Sequence, residues 1–524
     1  MAWKRDNPEG NEASKVRWEL VPYTRGFGYD LGSGTRLSKG FPHFIGVDNR
    51  ADERLFAAPR MDVDLPVPTC ERLPQLASQS ADFVFSSHLL EHIVDYKAAL
   101  LDWFRIVKVG GHLCLYLPHK DFYPNIGKPG SNPDHKHDFL PADIIEAMGE
   151  SSEGWDLVEN QERNADDEYS FFQVYRKLGH RAHLRSCDKP KPAKTCGIVR
   201  YGAFGDLLMA SSVLPGLKAQ GYHITLYTVP RGFEAIKHDP HIDRVVLQDT
   251  DQVPNLALGA YFEYISKKYD KFVNLCESVE GTFLAIPDRA QARFTHEARH
   301  RIMNVNYIEF THELAGVPMV PAQRFYATDE EKDWAKRERR KMGGDYVIMW
   351  SLSGSSVHKH WPHMDQILAR LMVALPGVRV IMVGDDACKI LESGWEKEPR
   401  VLCRSGVWTI RQSLSFLDHC DMVIGPETGV LNAAAMLSMP KIVCLSHSSV
   451  ENLTKHWVNT VSLEPVDTPC YPCHLMHYGF QNCREGFMEI GGKQERVGAL
   501  CQVNIKPERM WEAIVPHIQA REAA

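Results

Sequence analysis

The chain has 524 residues, a net charge of −7 and 44% hydrophobic residues, so it is too long for one core and predicts about three domains. Its composition is that of an ordinary globular protein, and the excess of acid argues against a broad surface for nucleic acid or anionic lipid, although a local basic patch is compatible with it. No stretch reaches the ~18–20 apolar residues of a membrane span, and the first residues lack the apolar centre of a signal peptide, so we expect a cytoplasmic protein.

Residues 1–180 alternate strand-like and helix-like segments, which predicts a first α/β domain. The predicted strands are "FGYDLG", "FIGVD", "ADFVFSS", "HLCLYLP" and "SFFQVYRKL", and the predicted helices are "YKAALLDWFRIV" and "PADIIEAMG". Residues 181–196 are basic, contain prolines and have no apolar period, so we interpret them as a linker.

The first predicted strand leads into a D-x-G-x-G turn, and an acid ends the second strand. Glycines allow a ligand to approach the backbone, and an acid at the end of strand two suits ribose hydroxyls. Together with "EH" after "ADFVFSS" and "GGHL" before the next strand, this pattern resembles the class I S-adenosylmethionine-dependent methyltransferases over about residues 25–150. The resemblance assigns the cofactor to Asp30, Gly32 and Gly34 at its methionine end, Asp48 at the ribose, Asp64 near the adenine, and Ser86.

Several titratable residues gather near the predicted strand ends or in "NPDHKHDF". They are His88, Glu91, His92, His119, His135 and His137. They could bind a substrate or act as a base, and a metal site is a further reading, whereas histidines that only satisfy local hydrogen bonds are the common alternative. The chain lacks an Asn-Pro-Pro-Tyr-type motif, which favours a small molecule or sugar as the methyl acceptor; a non-catalytic docking domain stays open.

After the linker the alternation restarts, which predicts two more α/β domains at 197–340 and 341–524. Strands are predicted at "CGIVR", "HITLYT", "RVVL", "KFVNL", "YVIMWSL", "VRVIMVG", "DMVIG" and "KIVCL", with a charged helix in "TDEEKDWAKRERRKMGG". Such alternation predicts parallel sheets with helices on both faces.

Asp206 lies in a second glycine turn, "RYGAFGDLL", between a strand and a helix. A carboxylate there could take a proton from an acceptor hydroxyl. The alternative is that Asp206 only caps the following helix.

From residue 197 the chain resembles the heptosyltransferase family, glycosyltransferase family nine. The matching stretches are "GIVRYGAFGDLLMASSVLPGLK", "VIMWSLSGSSVHKHWPHMDQILARL", "VWTIRQSLSFLDHCDMVIGPETGVLNAAAMLSMPKIVCL" and "SHSSVENLTKHW". The resemblance implies a GT-B fold of two facing Rossmann-like domains, and inverting transfer of a sugar, by analogy a heptose, from an ADP-linked donor.

The same resemblance implies that Asp206 is the general base and that Lys359 neutralises the donor phosphate. The implied donor-binding residues are Gly205, Ser353, Gly354, Lys359, Glu427, Thr428, Gly429 and Asn432. Two positions depart from the family pattern, because Glu427 stands where Asp is usual and Asn432 where His is frequent. The identity of the donor sugar therefore stays open.

Four cysteines close the sequence pattern, in the spacing C-x2-C-x9-C-x17-C: Cys470, Cys473, Cys483 and Cys501. Four thiolates predict a zinc or iron site, which would be structural because no coordination position is left open. Reduced cysteines without a ligand are the alternative, whereas disulfides are disfavoured in a cytoplasmic chain. A similar cluster occurs in the autotransporter heptosyltransferases, a branch that glycosylates protein; this resemblance implies iron and assembly into a homo-oligomer.

The sequence thus predicts a bifunctional glycan-modifying enzyme that transfers a sugar to a glycan or protein hydroxyl and methylates with S-adenosylmethionine. Two alternatives stay open. One is an enzyme that modifies a nucleobase or polynucleotide, and the other is a glycosyltransferase whose methyltransferase-like domain only docks a partner.

Overall fold

The structure is a computed structural model that describes residues 12–34, 43–49, 63–165, 167–276, 285–286, 290–354, 356, 358–477, 479 and 483–522. The chain divides into two compact units. The first is Met1–Ala193 with Val246–Lys268, and the second is Lys194–Val245 with Tyr269–Ala524.

The strands are β1 (Gly28–Leu31), β2 (Ile45–Asp48), β3 (Leu65–Pro66), β4 (Ala81–Ser87), β5 (Val107–Pro118), β6 (Trp155–Arg163), β7 (Ser170–Lys177), β8 (His183–Leu184), β9 (Thr195–Val199), β10 (His223–Thr228), β11 (Arg244–Leu247), β12 (Lys271–Asn274), β13 (Tyr346–Ser351), β14 (Val378–Val383), β15 (Val401–Cys403), β16 (Met422–Pro426), β17 (Lys441–Cys444), β18 (Thr460–Leu463), β19 (Glu485–Ile490) and β20 (Lys493–Ala499). The α-helices are α1 (Arg17–Leu20), α2 (Tyr96–Ile106), α3 (Pro141–Gly149), α4 (Phe204–Ser211), α5 (Leu214–Ala219), α6 (Pro230–Ile236), α7 (Leu258–Ser266), α8 (His296–Met303), α9 (Tyr307–Ala315), α10 (Asp329–Met342), α11 (Met364–Ala374), α12 (Ile410–Phe416), α13 (Gly429–Ala434), α14 (Leu500–Val503) and α15 (Pro507–Glu522).

The first unit contains an eight-stranded sheet in the order β3-β2-β1-β4-β5-β7-β6-β8. Strands β1 to β5 pair in parallel, whereas β7 runs antiparallel between β5 and β6. The parallel strands are buried along most of their length because helices such as α2 cover them, and Trp103 and Phe104 of α2 are fully buried in this core. The carboxyl ends of β1, β2 and β4 therefore share one edge of the sheet.

Two segments lie in the first unit although the sequence pattern suggested otherwise. Residues 183–184, within the stretch interpreted as a linker, form β8 and pair in parallel with β6. Helix α7 belongs to this unit through contacts such as that of Tyr261 with Trp18, whose ring centroids are 5.4 Å apart. Neither contact leaves a local signal in the sequence.

The second unit contains two parallel sheets and a hairpin. The sheets have the orders β11-β10-β9-β12 and β15-β14-β13-β16-β17-β18, and β19 and β20 form the antiparallel hairpin. One apolar core joins the two sheets, because side chains of α4 and α9 pack together with those of β13, β14 and β16. This architecture confirms the predicted α/β fold class: a Rossmann-like methyltransferase sheet followed by the two Rossmann-like sheets of a GT-B arrangement.

In the part of the chain that the structure describes, no helix combines the length and the apolar character needed to cross a membrane.

Candidate functional site

The turn after β1 has the geometry of a small-molecule site. Gly32 and Gly34 have φ values of 70° and 54°, in the left-handed region that favours glycine. The Gly32 N–H donates to Val47 O at 2.9 Å, and the Gly34 N–H donates to Asp48 Oδ2 at 2.7 Å. A Cβ at Gly34 would meet no atom of the described residues within 4 Å, and Asp30 at the start of the turn is buried.

The other predicted cofactor residues lie at the same edge of the sheet. The Gly46 N–H donates to Asp64 Oδ2 at 2.7 Å, and Ser86 Oγ donates to Leu31 O at 3.2 Å. Ser33 Oγ is fully buried beside them and has no hydrogen-bond partner among the described residues. Backbone glycines, acids and an unpartnered hydroxyl at one sheet edge fit a polar cofactor such as S-adenosylmethionine.

The six titratable residues near the strand ends separate into a cluster and two others. The cluster consists of His88, Glu91, His92 and His135. His137 lies apart from it and hydrogen-bonds Val94 O through Nε2 at 3.1 Å. His119 stacks on Phe122, with ring centroids 4.1 Å apart.

A cleft of the second unit, with a volume of about 540 Å³, is lined by all the predicted base and donor-binding residues. They are Gly205, Asp206, Ser353, Gly354, Lys359, Glu427, Thr428, Gly429 and Asn432. Most of the lining residues follow the carboxyl ends of β9, β10, β13, β14, β15, β16 and β17. Ligands of parallel sheets bind at these ends, so the cleft is the candidate active site of this unit.

Asp206 is held by two contacts at the floor of the cleft. Its Oδ2 accepts the N–H of Ala203 at 2.9 Å, which caps α4. Its Oδ1 lies 3.2 Å from Nη2 of Arg200, whose side chain is 3% exposed, whereas the Asp206 side chain is 34% exposed. The carboxylate of Asp206 thus caps α4, and it also lines the cleft, where its remaining lone pairs can accept further hydrogen bonds.

Two cations line the cleft without forming a salt bridge to any of the described residues. No carboxylate oxygen of the described residues lies within 4.0 Å of the Lys359 ammonium or the Arg231 guanidinium. The backbone of Lys359 is fixed by its N–H to Ser356 O at 2.9 Å and by its carbonyl, which accepts the N–H of Gly354 at 3.2 Å.

The Glu427 carboxylate is buried and occupied by protein contacts. It accepts the N–H groups of Ser446 and Ser448 at 2.8 and 3.1 Å, and it also contacts the His447 ring. Burial raises the pKa of Glu427, but the nearby His447 and Lys359 outweigh it and hold the pKa below its usual value. Glu427 therefore fixes the loop after β17, which itself lines the cleft.

The beginnings of α4 and α13 touch through two glycines. A Cβ at Gly205 would lie 2.9 Å from both Gly429 Cα and Asn432 Nδ2, and a Cβ at Gly429 would clash with the ring of Phe204. Close packing of these helices requires glycine at both positions. Thr428 is buried beside them and shares a hydrogen bond of 2.9 Å with Ser351 Oγ.

Sequence reasoning missed several residues of the cleft. Arg231 lies in the first turn of α6, which follows β10. Asp385 follows β14, and its side chain caps the next turn by accepting the N–H of Cys388. Polar residues that follow predicted strands were the available signal for both. His447 lies in "SHSSVENLTKHW", a stretch that carries the family resemblance but gives this residue no role.

The four cysteines surround a second, smaller cavity of about 110 Å³. Burial raises the pKa of Cys473 to about 12 and that of Cys483 to about 11. Cys473 Sγ lies 3.8 Å from His477 Nε2, and His477 lines the same cavity. Four soft donors about one small cavity fit a metal such as iron or zinc, although their sulfur atoms are not all within 4.8 Å of one another in this structure.

Comparisons with known proteins find both families that the sequence resembles. Residues 30–115 match the family model described as a methyltransferase domain. No curated protein matches the chain.

Solved structures similar to this chain include glycosyltransferases. A glycosyl transferase of family 9 from Veillonella parvula is 14% identical with a TM-score of 0.41, covering 53% of this chain and 89% of its own. The ADP-heptose lipopolysaccharide heptosyltransferase II of E. coli is 14% identical with a TM-score of 0.42, covering 63% and 99%. The iron-containing dodecameric glycosyltransferase TibC of enterotoxigenic E. coli is 15% identical with a TM-score of 0.40, covering 67% and 83%.

Proposed function

We propose that the second unit transfers a glycosyl group, heptose-like and from a nucleotide-diphosphate donor, to a hydroxyl of a glycan or protein. The observation that carries this proposal is the charge distribution of the cleft. Protein N–H groups already bond the carboxylates of Asp206, Asp385 and Glu427, whereas Lys359 and Arg231 form no salt bridge among the described residues. A cleft with satisfied acids and available cations favours an anionic ligand such as a diphosphate.

Asp206, Lys359 and Arg231 would each have a role in the transfer. Asp206 would accept the proton of the acceptor hydroxyl on its cleft side, since Ala203 and Arg200 hold it in place. Lys359 and Arg231 would stabilise the charge that develops on the departing diphosphate. The hydroxyl oxygen forms the new bond to the anomeric carbon as the bond to the diphosphate breaks, which inverts that carbon.

We further propose that the first unit binds S-adenosylmethionine and methylates the same glycan, its precursor or its acceptor. The match of residues 30–115 to a methyltransferase domain supports this proposal, as does the turn at Gly32 and Gly34. The cofactor supplies a methyl group on a sulfonium, and Asp48 and Asp64 would hold its ribose and adenine. The methyl acceptor would be a hydroxyl group of one of these molecules.

A structural iron or zinc ion, held by Cys470, Cys473, Cys483 and Cys501, is the third part of the proposal. Four cysteine ligands would close its coordination sphere, so its effect would be to fix residues 470–501. Burial raises the pKa of Cys473, Cys483 and Cys501, so these three thiols stay protonated without an ion, and binding would release their protons.

Calorimetry with a panel of nucleotide-diphosphate sugars, ADP-linked heptose included, tests the glycosyl-transfer proposal. We expect one donor to bind, and Lys359→Gln to weaken it about 10–100-fold, because one charge-assisted contact contributes roughly 1.5–3 kcal/mol. Lys336→Gln is the matched control, since Lys336 is exposed on α10 outside the cleft. The proposal is wrong if no nucleotide sugar binds, or if both variants bind it as the unaltered chain does.

Binding of S-adenosylmethionine to the full chain tests the first unit. We expect Asp48→Asn to weaken binding about tenfold, while Asp188→Asn, which removes an exposed acid of the same unit, leaves it unchanged. Absence of binding would favour a domain that docks a partner.

A further inference from the structure

Glu91 is a fully buried acid that lacks a hydrogen-bond partner. It lies in the single turn Leu90–His92 that follows β4, and its side chain is 0% exposed. Neither Oε1 nor Oε2 has a hydrogen-bond partner among the described residues. Burying a carboxylate without partners is costly.

Three imidazole nitrogens surround the same carboxylate oxygen. Glu91 Oε1 lies 3.8 Å from His88 Nδ1, 3.9 Å from His92 Nε2 and 3.9 Å from His135 Nε2. These distances are too long for hydrogen bonds. A metal ion about 2.1 Å from each ligand would leave neighbouring ligand atoms about 3–3.5 Å apart, so small side-chain rotations would close the shell.

The backbone holds the ligands from two separate segments together. The carbonyl of Glu91 accepts the N–H groups of Lys136 and His137 at 2.7 and 3.2 Å, which ties the loop of His135 to the turn of Glu91. His88 Nε2 lies 3.0 Å from Ser170 Oγ, so its Nδ1 is directed towards Glu91. Such contacts behind the ligands are typical of metal-binding histidines.

We propose that Glu91, His92 and His135, with His88 beside them, bind one divalent transition-metal ion such as Zn²⁺, Mn²⁺ or Fe²⁺. One ligand atom from each of Glu91, His92 and His135 lies within 4.8 Å of the other two. Two imidazoles and one carboxylate suit these ions, and three protein ligands leave coordination positions open. The ion is separate from that of the cysteines, which lie in the other unit.

The position of the site indicates what its open positions would bind. Glu91 follows β4, which pairs with β1, and the turn at Gly32 follows β1 at the same edge of the sheet. An acceptor hydroxyl on the ion would therefore lie at the edge where the methyl donor binds, with its pKa lowered by the metal. This role rests on the proposed methyl transfer, whereas binding of the ion does not.

Metal content of the full chain tests the site directly. The chain is stripped with a chelator, reloaded with Zn²⁺, freed of excess metal and analysed, alongside Glu91→Gln, His135→Asn and His137→Asn. His137→Asn is the matched control, because His137 is two residues from His135 yet bonds Val94 O. Zinc on the cysteines is common to all four proteins, so the difference between them reports the new site.

We expect the unaltered chain and His137→Asn to hold one more Zn²⁺ than Glu91→Gln and His135→Asn, and Zn²⁺ to raise the melting temperature of the first unit only in the former pair. Glu91→Gln removes the buried acid and should fold at least as well in chelator, so it decides the matter if His135→Asn does not fold. Equal Zn²⁺ in all four proteins would overturn the proposal. Binding of Zn²⁺ without binding of S-adenosylmethionine would retain the metal site and reject its role in methyl transfer.

Discussion

Replacing Asp206 by Asn and by Ala separates a catalytic base from a helix cap. Asn keeps an oxygen that can accept the Ala203 N–H but loses the charge beside Arg200, whereas Ala loses both contacts. The cap is worth about 1 kcal/mol. The ion pair adds about 1 kcal/mol, because Asp206 is one-third exposed and water screens the charge.

We therefore expect Asn to cost about 1 kcal/mol and Ala about 2 kcal/mol of unfolding free energy. If Asp206 is the base, both variants should lose about 10²–10⁴-fold in turnover, although only Ala loses the cap. Asp243→Asn is the matched control, since Asp243 likewise bonds one backbone N–H, that of Ile224, and one cation, Lys218, but lies outside the cleft.

The assay measures release of nucleoside diphosphate at saturating donor, together with thermal melting of each variant. Turnover within tenfold of the unaltered chain for Asp206→Asn, combined with a loss of stability for Asp206→Ala, would refute the base and leave only the cap. A similar loss of turnover in Asp243→Asn would show that the assay reports folding of the unit instead of chemistry.

Three other substitutions test the cleft and the metal site. Gly205→Ala places a Cβ 2.9 Å from Gly429 Cα, so we expect the unfolding free energy to fall by about 1–3 kcal/mol in melting experiments and donor binding to weaken in calorimetry. Gly259→Ala is the control: a Cβ there meets no atom of the described residues within 4 Å, so this substitution should not lower the unfolding free energy. Glu427→Gln should lower stability by about 1–2 kcal/mol, because a charged acceptor for two N–H groups becomes neutral; unchanged stability with much weaker donor binding would instead indicate direct contact with the sugar. Cys473→Ser or chelation should lower both the metal content and the melting temperature, whereas Cys403→Ser, outside the cavity, should change neither.

Burial distinguishes strands that the sequence predicted, such as β4 and β7, from β6, which is one of those that it missed. "ADFVFSS" forms β4 with the predicted bounds, because it is buried on both faces and reads as an apolar run. β6 was missed because only its first three residues, Trp155–Leu157, are fully buried, and the polar rest pairs near the sheet edge. Its antiparallel partner β7 was found, since seven of its eight residues are buried.

The hairpin of β19 and β20 carried a local signal that the cysteine pattern obscured. Gly491 and Gly492 form its turn with φ values of 59° and 79°, as hairpin turns require. The placement of α7 in the first unit had no such signal, because it depends on long-range contacts. The glycine turn after β1 was predictable for the opposite reason: its conformation is local, and glycine adopts it readily.

The side-chain length at position 427 explains why a residue in the predicted donor site is engaged elsewhere. The carboxylate of Glu427 reaches the N–H groups of Ser446 and Ser448 after the neighbouring strand β17. Asp, which the family pattern would place here, is one methylene shorter. Asn432 also lines the cleft, and its buried Oδ1 has no hydrogen-bond partner among the described residues, so it is available to a ligand. If the proposed donor binds in this cleft, we therefore expect Glu427 to act by fixing the loop after β17 and Asn432 to be the residue of the two that contacts the sugar.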